Sequence, residues 1–269
     1  MLIEKFNTGL WFLKRPDYWT HGASLIARKF GEDKDDPETR ERAGRWAAEH
    51  AVSVDAALQK LGIFDPSTCS LPVMPDGVLV EAEKRAERCD VKMGGPGDLG
   101  LLFSATALIG ARRIVETGVA YGWSSLALLA ALRVNGGGRL ISVDMPYPKA
   151  GNEEWVGVVV PEDIRSDWTL IRKPDRNGIA GAIRQIGGEI DLCHYDSDKS
   201  YRGRKFAYPI LWQALRPGGI FISDDIQDNF AFKEFVDEHN LDFGVTAFNG
   251  KYVGVTVKPA NPDQPQSGS

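Results

Sequence analysis

Cysteine is scarce. Cys69, Cys89 and Cys193 are the only three in 269 residues, widely spaced and without a C-x-x-C pair. That excludes a disulfide framework or a zinc cluster and points to a reducing compartment, the cytoplasm. Positive charge is short as well: with a net charge of −5 the chain offers no basic face to a nucleic-acid backbone. Long apolar runs are absent too. The opening MLIEKFNTGLWFLKRPDYW carries too many charges for a leader or an integral membrane segment. Its Phe6, Leu10, Trp11 and Leu13 form an apolar cluster beside Lys14 and Arg15 that suits a partner or a membrane surface, or else packing on the chain's own body or a second subunit, which leaves a homo-oligomer open. No internal repeat is visible. At 43% hydrophobic and 26% charged, the chain has enough apolar residues for one substantial core plus an extension.

What is present is organised around RIVETGVAYGWSSLALLAALR, residues 113–133. A short apolar run ends in Glu116-Thr117-Gly118, passes through small residues to Gly122, and changes at Ser124 into a helical apolar run that stops at Asn135 and three glycines. This is the opening strand, turn and helix of a doubly wound α/β domain, with a ligand site at the turn. A dinucleotide fingerprint requires glycine where this turn has Ala120 and Trp123, and an indole does not fit where helix must touch strand. NAD and FAD are therefore disfavoured. The remaining E-x-G-x-x-x-G pattern suits a ligand bearing both an ammonium and a carboxylate. Glu116 would fix the turn or a cationic group, while Ser124 and the helix-start N–H groups would accept an anion.

Before this unit, residues 1–92 read as a polar helical cap with no strand pattern strong enough to join a sheet. Pro37 to Leu61 has apolar residues at helical spacing. Met93 to Asp98 then leads, through a loop-to-helix joint, into the helix LGLLFSATALIGA. After the opening unit, RLISVD is the second strand and ends in Asp144. The segment 145–167 lacks the usual amphipathic crossover helix and reads as a lid or substrate wall containing Trp155, with an ordinary packed loop as the alternative. WTLIR is the third strand, and a crossover helix follows over 177–186.

The second constellation is IDLCHYDSDKSYRGRKFAYPILWQALRPGGIFISDD. Its two strands, 190–195 and 220–223, each end in acids: Asp196 and Asp198 after one, Asp224 and Asp225 after the other. Carboxyl ends of adjacent parallel strands meet at the binding crevice, so these acids share a small volume. Clustered carboxylates repel, and a hard divalent cation is the ordinary remedy, with Mg²⁺ the foremost candidate. The alternative is that some cap a helix or bind Lys199 and Arg204. A terminal hairpin is marked by Asn249-Gly250 between alternating runs. Residues 259–269 are a polar, Pro-rich tail expected to be disordered.

ETGVAYGWSS and the later pair DSDKSY and SDD resemble the class I S-adenosylmethionine-dependent methyltransferases, in particular the metal-dependent O-methyltransferase branch. The acidic pair, where catechol and caffeoyl-coenzyme A types carry Asp-Asn, is more similar to macrolide-sugar methyltransferases and cephalosporin-hydroxylase-like relatives. The resemblance covers residues 93–258 and implies a Rossmann-like seven-stranded α/β sheet with a terminal antiparallel hairpin behind the cap. It implies S-adenosylmethionine held by Glu116, Gly118, Gly122, Ser124, Asp144 (ribose) and Asp175 (adenine). It also implies a divalent cation on Asp196, Asp224 and Asp225, and Lys199 as the base, with His194 as competitor. The activity implied is methyl transfer to a hydroxyl of a small sugar, polyketide or polyphenol. A metal-independent methyltransferase and a non-catalytic cofactor-binding scaffold are the alternatives.

Overall fold

The computed structural model describes residues 15–19, 22–23, 34–146 and 151–260. The apolar cluster expected around Phe6 to Leu13, and nearly all of the polar tail, lie outside the described residues. Among the described residues, eight strands form one sheet: β1 (Ala51–Val52), β2 (Arg113–Thr117), β3 (Arg139–Val143), β4 (Trp168–Ile171), β5 (Ile190–Tyr195), β6 (Leu215–Ser223), β7 (Phe243–Phe248) and β8 (Lys251–Val257). Their order is β1-β7-β8-β6-β5-β2-β3-β4. β8 runs antiparallel to both of its neighbours, β6 and β7, and the remaining pairs are parallel. This is the Rossmann-like sheet with a closing antiparallel hairpin that the sequence anticipates.

The sequence pattern gives seven strands, and the eighth comes from the cap. The helical run anticipated over 37–61 divides into α1 (Pro37–His50) and α2 (Val54–Lys60). Between them, Ala51 and Val52 pair in parallel with Val245 and Thr246. A two-residue strand leaves no alternation to detect, so periodicity passes over it.

Helices α3 (Asp76–Ala86), α4 (Leu99–Leu108), α5 (Trp123–Val134), α6 (Asp175–Ile186), α7 (Tyr201–Ala214) and α8 (Ala231–Glu238) complete the fold. The central strands are apolar on both faces because helices cover both. Ile114, Leu140, Leu192 and Ile222 face one core with α4 and α5. Their neighbours Val115, Ile141, Cys193 and Phe221 face the other with α6 and α7, as the two-residue period of a strand requires. In α5, Leu126, Leu128, Leu129 and Leu132 are all buried, each stabilising the joint by on the order of 2 kcal/mol. Trp123 also packs into this core.

Among its described residues, the segment after β3 has no crossover helix; from residue 151 it holds two short 3₁₀ turns, Glu153–Trp155 and Glu162–Asp167. It lies on the glycine turn: Gly157 N–H donates to the Ala120 carbonyl (2.9 Å) and Val159 N–H to the Tyr121 carbonyl (3.1 Å). Trp155 is half-buried. Among the described residues, no helix is long and apolar enough to cross a membrane.

Candidate active site

The tips of β2, β3 and β5 open into a cleft of about 300 Å³, lined in part by Gly118, Ala120, Asp144, Asp175, Asp196 and Phe206. The turn after β2 explains the glycine at 118. Its φ is +81°, and an added Cβ would sit 2.2 Å from the Asp196 carbonyl oxygen. Only glycine lets the two strand tips approach this closely. Ala120 shares the left-handed region, with φ +48°.

The turn residues divide into those in the cleft and those beneath it. Glu116 is completely buried and accepts from the hydroxyls of Ser125 (2.5 Å) and Ser142 (2.6 Å), so it ties β2 to α5 and β3. Gly122, at φ +91°, forms the N-cap of α5, and the space beside it is filled by Gly157 and Val160. Gly122, Ser124 and Glu116 are not among the cleft-lining residues. The docked 156–160 segment lies over Gly122, where the sequence placed an anion site.

Asp144 and Asp175 do line the cleft. Asp144 accepts the Val119 N–H (3.0 Å) through one oxygen, and its other oxygen pairs with the Arg172 guanidinium. Burial lifts its carboxyl above the ordinary range despite Arg172. Arg172 also reaches Glu153 (2.8 Å), joining the strand tip to the overlying segment. Asp175 accepts from Ser197 (2.6 Å) and Tyr195 (3.2 Å) hydroxyls. Burial first, and Asp198 second among the raising influences, push its carboxyl up to about 6.

The three acids expected on a metal do not meet at one point. Asp196 Oδ1 and Asp224 Oδ1 are buried and make no hydrogen bond, and burial together with the Asp224 charge holds the Asp196 carboxyl well above the usual range. Asp225 is taken up by other partners. Its carboxylate pairs with Lys199, with Lys251 at 3.4 Å and with the Gln227 amide at 3.1 Å, at a residue whose φ is +53°. Among the described residues, no group of three or more His, Cys, Asp or Glu side chains is arranged to hold a metal ion. Two carboxylates remain, a number sufficient for a Mg²⁺ that keeps several waters.

Neither expected base is free in this arrangement. Lys199 lies 3.4 Å from Asp196 as well as against Asp225. Burial works against its ammonium, but the two carboxylates outweigh it and push its pKa up. His194 is completely buried between Glu116 and Asp224, with Nδ1 and Nε2 each 3.5 Å from a carboxylate oxygen. These separations are ion-pair contacts, too long for hydrogen bonds, and neither ring nitrogen has another partner. Burial opposes the imidazolium, yet the two acids raise its pKa to about 10. The group facing Glu116 is therefore an internal histidine.

Sequence reasoning missed Arg172, Lys251, Arg176 and Phe206. Arg176 stacks its guanidinium 4.2 Å from the Phe206 ring centre, and both line the cleft mouth. An arginine on one helix and a phenylalanine 30 positions later on another leave no local signal. Asp98 proves to be the N-cap of α4, accepting the Leu101 N–H (3.0 Å). Met93 sits between the Tyr121 hydroxyl and Asn152.

Residues 115–226 match the family model described as a methyltransferase domain. A search of curated proteins returns no match. Among solved structures, the chain is similar to an O-methyltransferase from Bacillus cereus in complex with SAH, at 17% identity, covering 79% of this chain and 100% of that one, with TM-score 0.50. It is also similar to the O-methyltransferase TomG from Streptomyces achromogenes in complex with SAM, at 18% identity, with coverage of 70% and 92% and TM-score 0.52. A cofactor-bound Rv0187 from MTB gives 15%, 69%, 92% and 0.51. At these identities the likeness establishes the fold. Within the matched residues, the glycine turn, Asp144 and Asp175 all stand at the carboxyl edge of the sheet, where a doubly wound fold opens its crevice.

Proposed function

We propose that the chain is an O-methyltransferase that moves the methyl group of S-adenosylmethionine to a hydroxyl of a small sugar, polyketide or polyphenol, with Asp196 and Asp224 holding a divalent cation. The observation that carries this reading is the pair of buried carboxylate oxygens, Asp196 Oδ1 and Asp224 Oδ1, left without hydrogen bonds where Asp196 lines the cleft. Each faces one side-chain cation at ion-pair distance, Lys199 at 3.4 Å or His194 at 3.5 Å, and buried carboxylates that lack hydrogen bonds are costly unless more positive charge joins them. The O-methyltransferase descriptions of the Bacillus cereus and Streptomyces achromogenes structures support the class of acceptor atom.

In this reading the Gly118 turn cradles the cofactor, Asp144 takes the ribose hydroxyls and Asp175 faces the adenine. A bound cation supplies Lewis acidity that lowers the acceptor hydroxyl's pKa. The hydroxyl oxygen attacks the sulfonium methyl carbon, the C–S bond breaks with its electron pair staying on sulfur, and S-adenosylhomocysteine leaves. Lys199 is the proton acceptor. Its ammonium is held by Asp196 and Asp225 in this structure, so it accepts a proton only after giving one up and leaving them. His194 is sealed inside the sheet and acts on Asp224, not on the acceptor.

A second reading rests on one specific observation: the three acids already face cations of the chain, Asp224 toward His194, Asp196 toward Lys199 and Asp225 toward Lys199 and Lys251. These pairs permit metal-independent transfer. Methyl transfer from labelled S-adenosylmethionine to a panel of sugars, macrolides and catechols, with and without EDTA, separates the two. Loss of transfer in EDTA with recovery on added Mg²⁺ supports the first reading, and undiminished rates support the second. Tight cofactor binding without transfer to any acceptor would favour a scaffold.

A further inference from the structure

Arg204, on the second turn of α7, is the largest side chain that is completely buried. A guanidinium in such a place costs several kcal/mol unless its donors are used. Among the described residues it forms no ion pair with a carboxylate. Instead Nη2 donates to two consecutive backbone carbonyls, those of Asp224 (3.1 Å) and Asp225 (2.8 Å). Nη1 reaches the Tyr208 hydroxyl (3.5 Å), which itself bonds Ser223 at the tip of β6 (2.6 Å). The clamped peptide units flank the point where a non-glycine residue, Asp225, enters the left-handed region at φ +53°, a conformation costing roughly 1–2 kcal/mol.

We infer that Arg204 is a positioning residue whose guanidinium clamps the Asp224–Asp225 turn and so divides two adjacent acids between separate partners. With the clamp in place, Asp224 faces His194, and Asp225 faces Lys199, Lys251 and Gln227. Without it, the turn relaxes toward ordinary extended backbone and the Asp225 carboxylate leaves the lysines. The arrangement requires no metal, so it goes beyond the proposed function and stands whether or not a cation binds Asp196 and Asp224.

The test reads the lysines. Full-length protein is treated with limiting acetic anhydride, and acylation at Lys199 and Lys251 is measured by peptide mass spectrometry relative to exposed Lys84. Arg204→Met is expected to raise both relative rates several-fold. Tyr208→Phe, which removes a different contact of the same guanidinium and leaves both carbonyl bonds, is expected to leave them at the wild-type value while also lowering the melting temperature. If Arg204→Met melts lower with both relative rates unchanged, Arg204 merely fills the core and the inference is wrong. If that variant does not fold, Arg204→Lys, which keeps the charge but not the two-carbonyl fork, is judged by the same ratios.

Discussion

The Asp196 carbonyl stands against the Gly118 α-carbon, so that a side chain of even one carbon at 118 would meet that oxygen at 2.2 Å. The contact joins the turn after β2 to the strand tip that carries Asp196. Gly118→Ala is expected to cost about 3 kcal/mol or more of stability, through the clash and the positive φ together. Cofactor affinity should fall at least tenfold by titration calorimetry. Wild-type melting and binding in that variant would mean the two strand tips are farther apart than described.

Asp144 tests the cofactor pocket separately. Asp144→Ala removes an acceptor of charge-assisted hydrogen bonds and is expected to weaken S-adenosylmethionine binding by about 1–3 kcal/mol. An unchanged dissociation constant would place the ribose elsewhere.

Asp224→Ala should instead abolish methyl transfer while leaving cofactor affinity nearly intact, since Asp224 does not line the cleft. Transfer at the wild-type rate would remove Asp224 from the mechanism.

His194 gives a pH signature in EDTA-treated protein. Its folded pKa, about 10, lies above the unfolded value near 6.5. The stabilisation is therefore complete below about pH 6.5 and is lost as pH rises through about 10. Thermal melts from pH 6 to 10 should decline in the wild type and be flatter in His194→Gln. Parallel slopes would show that the imidazole is neutral.

Asp175 behaves in the same direction at lower pH. Its carboxyl is raised to about 6, so the folded protein binds a proton that the unfolded chain releases near pH 4. Stability should fall between about pH 4 and 6 and stay lower above that. Asp175→Asn should therefore melt a few degrees higher than wild type at pH 7.5 and equally at pH 4, by differential scanning fluorimetry. Equal melting at both would show an ordinary, solvated carboxyl.

Much of this was legible along the chain because the signals are local. The buried strands, the Asn249-Gly250 hairpin and the strand-end acids each follow from residues within a few positions of one another. What was not legible depends on residues far apart in sequence. Lys251 approaches Asp225 from a hairpin 26 positions away, and the 156–160 segment fills the space beside Gly122. No spacing rule anticipates either. The split of Asp224 from Asp225 was hidden for a different reason: adjacent acids look like a joint ligand set until the left-handed φ at Asp225 is known. β1 escaped notice because two residues carry no period.

That small strand bears on where the protein can be cut. β1 supplies hydrogen bonds to the outer side of β7, and Gly244 of β7 packs against Ala57 in the helix that follows. Removing the first 92 residues would bare a row of unsatisfied backbone donors and acceptors on a hairpin that also braces β6. A trimmed catalytic half should therefore self-associate edge to edge instead of remaining monodisperse.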